Sequence, residues 1–390
     1  MNTMTKTEKL ALLNADTEAM RLEHLATLLQ AEAAPPEQLP QFANNHIHTT
    51  YSFSPYSPTA AVYFAREAGL QTAGIMDHDS IGGAKEFRRA GELAEIGTTC
   101  GIECRVNLDD TALAGRKLNN PDQAGICYMA IHSVMPDKID YVQAVFAPLR
   151  EKRNVRNRAM VARINEITAP FGITINFEQD VLPCSKYHEG GTVTERHLLW
   201  ALAGKVITTC GAKGVAALLE KLGITPSAAQ ASRLTSSNPD LQYDLLGIFK
   251  AHLVARFYIP ATEECMRLKE LVQVAEEAGA ILCYPYLGDV GESVTGDKKR
   301  EQFEDSFLDE LFEVVYAEGV RGITYMPSRN TEAQIARLRA LCTQYHMVEI
   351  SGEDINTPAQ SFICEKLADP GFAHLVEATW MLIEREKERK

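Results

Sequence analysis

No Cys-x-x-Cys pair occurs in the 390 residues, and the 9 cysteines are odd in number and scattered, Cys100 and Cys104 being nearest neighbours. Without paired spacing, a zinc ribbon or a disulfide framework is excluded, and a reduced, cytoplasmic setting is expected. Positive charge is also scarce: 39 Lys and Arg stand against 52 Asp and Glu, a net charge of −13. A nucleic-acid partner or an anionic membrane surface needs a basic footprint, so neither is expected. A small anion held in a local basic pocket stays open. No uninterrupted apolar run reaches the length of a membrane span, and the first thirty residues carry no export-signal pattern. Internal repeats and low-complexity tracts are absent. What is present is ample apolar material, 45% of residues, in a chain long enough to bury a core unaided.

The pattern divides the chain into four parts. Residues 1–40 read as a helical arm: Leu10, Leu13, Met20, Leu22, Leu25 and Leu28 recur near helical spacing until Pro35-Pro36 stops the helix. Such an arm covers a neighbouring core or joins a second subunit. Residues 41–148 alternate short apolar runs with helical stretches, which favours parallel strands with helical crossovers. Residues 149–257 read as a mainly helical insertion that opens on a strongly basic helix. The alternation resumes over 258–390, where the glycine-rich, polar residues 287–297 read as a mobile surface loop. The terminal charge run 384–390 reads as a solvated helix end.

The chemistry concentrates in residues that follow apolar runs. In His46-Ile47-His48, alternate residues of a strand point to one face, so both imidazoles can meet one metal. Asp77 and His78 end the next strand, Glu103 another, His132 a further one, and Asp354 lies near the end of the chain. Strand ends are where a barrel presents its catalytic groups. Mixed imidazole and carboxylate ligands suit zinc, manganese or iron rather than calcium. A carboxylate between two histidine-rich half-sites can bridge two ions.

The order of these motifs resembles the PHP (polymerase and histidinol phosphatase) domain family. His46-Ile47-His48-Thr49-Thr50-Tyr51-Ser52 is similar to its first motif and Met76-Asp77-His78-Asp79-Ser80 to its second. Gly101-Ile102-Glu103 matches the bridging glutamate and His132 the following histidine. Cys283-Tyr284-Pro285 stands at the Ala-His-Pro motif, and Ser351-Gly352-Glu353-Asp354-Ile355-Asn356 at the terminal one. The resemblance covers about residues 43–365. It implies an α/β fold, a distorted (β/α)7 barrel with an inserted helical lobe. It also implies up to three metals, one held by His46, His48, Glu103 and Asp354, a second served by Glu103 and His132, and a third by His78. Family members typically hydrolyse phosphate esters by a metal-bound hydroxide. The amidohydrolases also begin with His-x-His, but they need a bridging lysine where Glu103 stands.

Three departures matter. Phe53 replaces an acidic residue and cannot ligate, Tyr284 replaces the Ala-His-Pro histidine, and Asn356 replaces the terminal histidine. One tightly held divalent metal is therefore expected, with a second ion on a weakened set. The expected function is a metal-dependent hydrolase, a phosphoesterase of a small phosphorylated metabolite. Asp77 or His78 would manage a proton, and Tyr284 would donate to a phosphoryl oxygen. Arg196 and His197 near a helix start, Arg329 after a strand, and Asn356 would hold the anionic substrate. Arg153, Arg156 and Arg158 read more simply as a solvated basic face. The alternatives are a single-metal isomerase, lyase or non-phosphate hydrolase with Tyr284 as acid or base, or a non-catalytic metal-binding module.

Overall fold

The fold comes from a computed structural model, which describes residues 4–32, 34–289 and 302–387. Residues 290–297 of the expected loop and 388–390 of the terminal charge run lie outside the described residues.

Eight strands form one sheet: β1 (Asn44–Ile47), β2 (Thr72–His78), β3 (Gly97–Asn107), β4 (Ile126–His132), β5 (Met266–Arg267), β6 (Ile281–Pro285), β7 (Gly322–Tyr325) and β8 (Val348–Ser351). Seven run in the order β1-β2-β3-β4-β6-β7-β8, with β5 beside β3. The two ends of this path nearly meet. Ile47 bridges Ile355 in parallel, and the His48 N–H donates to the Ile355 carbonyl at 3.0 Å. The result is a mixed α/β, nearly closed barrel, a distorted relative of the TIM barrel.

The distortion is specific. Alternating strands and helices predict parallel pairing throughout, but β4 is antiparallel to both β3 and β6. Irregular chain, not a helix, joins β3 to β4, so nothing carries the chain back to the starting end before β4 begins. The carboxyl end of β4 therefore lies beside the amino ends of its neighbours: His132 pairs with Ile281, the first residue of β6.

That lower end is closed by the helix Ala373–Lys387. Its Leu382 packs on Ile281, Cys283 and Ile350, and its Glu386 accepts from the Thr99 hydroxyl and the Cys100 N–H. Glu386 is only 3% exposed and pairs with Arg88. A charge run that reads as solvated thus hides one structural acid.

The N-terminal arm folds against its own barrel as two helices, Lys6–Leu13 and Glu18–Ala31, broken where Thr17 caps the second. Leu13, Leu25 and Leu28 enter the main core. Buried Arg21 fixes the arm by a bidentate pair with Glu86, Nε to Oε1 at 2.9 Å and Nη2 to Oε2 at 2.6 Å.

A second apolar core gathers residues between Met160 and Phe257, together with Phe53 of the barrel. It is built on the helices Ile139–Thr168, Glu195–Lys221 and Leu241–Phe257. Among the described helices Glu195–Lys221 alone reaches membrane-spanning length and apolarity, with a mean hydropathy of 1.3. It is broken at Gly211, whose φ of +62° is left-handed, and Leu198, Leu199 and Leu202 are buried in the insertion core.

Candidate metal centre

Strand register brings the motif residues together. His78 and Glu103 are paired neighbours on β2 and β3, so their side chains share a face. His46 lies near the end of β1, His48 just beyond it, and Asp354 follows β8. Gly352 lets these two segments touch: a Cβ there would lie 2.5 Å from the Cβ of His46.

The ligating atoms of His46, His48 and Glu103 all lie within 4.8 Å of one another. His46 Nε2 is 3.6 Å and His78 Nδ1 3.0 Å from Glu103 Oε2, and His48 Nε2 is 3.3 Å from Asp354 Oδ1. Burial alone would raise the Glu103 carboxyl, but His46 and His78 hold it well below the usual range. The Asp354 carboxyl likewise resists burial and is held well below its ordinary value by His48, His46 and Arg196. Burial opposes a proton on His46, yet Glu103, Asp354 and Asp77 draw its pKa upward. His78 is moved the other way, since its burial outweighs Glu103.

Two carboxylates and three imidazoles thus crowd one spot at the barrel mouth, a set of nitrogen and oxygen donors that a cation can gather. His132 adds to the demand. It sits deeper in the barrel because β4 is reversed, and burial and His46 press its pKa down to about 3. The neutral ring leaves a buried Nε2 without a hydrogen-bond partner. An unpartnered ring nitrogen beside this nitrogen and oxygen donor set fits a divalent metal.

The other expected site residues fall into two groups. His46, His78, Glu103, Arg196, Asp354 and Asn356 line a cavity of about 1080 Å³ between the barrel rim and the insertion. Arg196 is near enough to Asp354 for its charge to act there, and the Asn356 amide donates to Asp354 Oδ1.

Asp77, Tyr284, His197 and Arg329 lie outside that lining. Asp77 accepts from the Thr49 N–H at 2.7 Å, the Thr49 hydroxyl at 2.6 Å and the Ser52 hydroxyl at 2.6 Å, so it braces the β1 loop instead of managing a substrate proton. Cys283 pairs with Ala130, which pairs with Glu103, so Cys283 faces the barrel interior and Tyr284 the helical layer. The Tyr284 hydroxyl accepts from the Asn119 N–H, and burial raises its pKa well above the ordinary value. His197 Nδ1 accepts from the Thr194 N–H at 3.0 Å, a helix cap, and its ring meets Phe53 edge-on. Burial and Arg153 bring its pKa down to about 3. Arg329 donates its Nε to the Leu287 carbonyl.

The basic helix also differs from its sequence reading. Arg158 is exposed and pairs with Glu178, but Arg153 and Arg156 are buried. Arg153 bonds Asp79 and Glu195, Arg156 bonds Glu195 and Glu264, and Arg105 of β3 also reaches Glu195 at 2.9 Å. Burial opposes ionisation of Glu195, but the three guanidinium groups hold its carboxyl well below the ordinary range. Sequence reasoning also missed Tyr128, a cavity-lining ring 5.7 Å from that of His78. Its strand alternation with Ala130 and His132 is the available signal.

No protein-family model matches the chain, and no curated protein matches it. Solved structures do. One, from Bifidobacterium adolescentis and provisionally assigned as a metal-dependent phosphoesterase, aligns with a TM-score of 0.54 at 21% identity, over 86% of this chain and 96% of its own. Another, an amidohydrolase from Chromobacterium violaceum with bound sulfate and no metal, aligns at 0.53 and 18% identity, over 81% and 88%. At such identities the likeness is one of fold.

Proposed function

We propose that this chain is a metal-dependent hydrolase of phosphate esters, acting on a small anionic substrate in the cavity above the barrel. The observation that carries the reading is the acceptor-rich cluster of His46, His48, Glu103 and Asp354, opening into a cavity that Arg196 also lines. The two solved structures of similar fold, described as a phosphoesterase and an amidohydrolase, support the hydrolase class. Nine unpaired cysteines are in keeping with a reduced, cytoplasmic setting.

His46, His48, Glu103 and Asp354 would hold a zinc, manganese or iron ion, and Glu103 with His132 a second. Bound there, such an ion supplies Lewis-acid activation of water and offsets charge on phosphoryl oxygens. The chain's own residues do the rest. Arg196 receives the substrate anion beside Asp354. His78, held by Glu103 at Nδ1, keeps Nε2 for a proton exchanged with the leaving group. Tyr128 and the insertion wall limit water around the bound substrate. A single-metal reading with Tyr284 as acid finds no support in a tyrosine turned into the helical layer. A non-catalytic module would enclose its metal fully, whereas three of the four cluster residues, His46, Glu103 and Asp354, line the cavity.

The test is turnover of small phosphate esters by protein purified without chelator. Activity lost on chelation, regained with zinc, manganese or iron, and absent in Glu103→Gln is the expected result. Full phosphatase activity in Glu103→Gln overturns the reading.

A further inference from the structure

His48 has a proton-placement problem that the structure resolves. Its Nε2 faces Asp354 Oδ1 at 3.3 Å, while its Nδ1 lies 3.2 Å from Ser52 Oγ. An imidazole that ligates through Nε2 must carry its proton on Nδ1. Either orientation of the Ser52 hydroxyl would satisfy the contact, so the serine has to be told which way to point.

Asp77 supplies that instruction. It is 1% exposed, and its Oδ1 lies 2.6 Å from Ser52 Oγ. A carboxylate only accepts, so the single Ser52 hydroxyl proton points to Asp77. Ser52 Oγ then offers only lone pairs to His48, and His48 must donate from Nδ1. Thr49 holds Asp77 in place through its N–H and hydroxyl, which fixes both torsions of the carboxylate. Ser52 and Asp77 lie outside the cavity lining, so neither meets the substrate.

We propose that Ser52, oriented by Asp77, is a positioning residue that fixes His48 as its Nδ1–H tautomer and aims the Nε2 lone pair at the metal. This rests on the metal centre proposed above. Ligand histidines commonly donate their second ring N–H to an outer partner, and losing that partner costs roughly 10–100-fold in metal affinity. Here the partner is a hydroxyl polarised by a carboxylate.

The test uses the full chain stripped by chelation and titrated with zinc against a chromophoric chelator. Alongside it, nitrogen-15 spectra of the zinc-loaded protein are recorded, with His48→Gln assigning the ring. Ser52→Ala should fold with an unchanged far-ultraviolet spectrum, bind zinc about 10–100-fold more weakly, and lose the slowly exchanging His48 Nδ1–H. Ser52→Thr keeps the hydroxyl and should restore both affinity and signal. If Ser52→Ala does not fold, Ser52→Cys, a poorer acceptor at the same point, serves the same comparison with the same expected weakening.

Zinc bound by Ser52→Ala as tightly as by the unaltered chain, with Glu103→Gln unable to bind, overturns the proposal and leaves the metal centre standing. A His48 ring protonated only at Nε2 in the zinc-loaded protein overturns it as well. Zinc binding absent from the unaltered chain, or undiminished in Glu103→Gln, removes the metal centre and this proposal together.

Discussion

Two buried charge clusters lie within one cavity wall, and they are built on opposite principles. Around Glu195, each carboxylate meets guanidinium donors: Arg105, Arg153 and Arg156 reach Glu195, Arg153 also takes Asp79, and Arg156 takes Glu264. Every carboxylate here is paired with a guanidinium, so this cluster is a clasp joining the insertion helices to β3 and to the residue after His78. Around Glu103, imidazole nitrogens and carboxylate oxygens converge with no guanidinium or ammonium bonded among them in the described residues. That cluster offers a donor set of the kind that holds a divalent metal. Burial and charge are common to both, and the balance of donors to acceptors separates structure from function.

The comparison can be broken from either side. The largest effect is expected at the metal cluster: Glu103→Gln should reduce phosphatase turnover to background, while the melting temperature of the chelated protein changes little. Next is the clasp. Glu195→Gln leaves Arg105 without its carboxylate and takes one of two carboxylates from Arg153 and Arg156, and removing one partner from a buried ion cluster costs on the order of 3–5 kcal/mol. Urea unfolding should show that loss, and metal affinity measured at low temperature should be kept. Equal destabilisation by both variants would mean that the two clusters do the same job.

A third prediction concerns the fixed acid under the barrel. Burial raises the Glu386 carboxyl to about 7, against the lowering by Thr99, the Cys100 N–H and Arg88. The folded chain then holds a proton that the unfolded chain releases at lower pH. This stability contribution is complete below about pH 4.5 and is lost as pH rises to 7. Relative to the native chain, Glu386→Gln should gain on the order of 3 kcal/mol over that window. Unfolding free energies measured at several pH values check it, and a constant difference would contradict it. The smallest effect belongs to the cavity wall: Arg196→Ala should raise KM for a phosphate ester roughly tenfold, with little change in metal content. Steady-state kinetics measures it.

The barrel class and the grouping of His46, His48, Glu103 and Asp354 were legible because they depend on local signals. His46, His48 and Asp354 stand at or just past strand ends, which converge in such a fold, while Glu103 lies within the long β3 and meets them through its pairing with His78. What was not legible depends on partners far away in sequence. The reversal of β4, set by the lack of a crossover helix, moved His132 from the rim to the interior. Tyr284 turned away because strand alternation places Cys283, one residue earlier, on the inner face. His197 became a helix cap through Thr194, a local pairing hidden by the more familiar reading of a basic residue near a helix start. Arg153 and Arg156 read as a solvated face because Glu195 and Glu264, which bury them, come from other segments. Asp77 lies beside His78 in sequence, yet its function is set by Thr49 and Ser52 on another strand end.

The central claim is that the cluster at the barrel mouth is a metal centre. Metal content per chain, measured by mass spectrometry on protein purified without chelator or added metal, tests it most directly. At least one equivalent of zinc, manganese or iron is expected in the native chain, and loss of that equivalent in Glu103→Gln. A native chain without metal, or equal metal in both proteins, would contradict it.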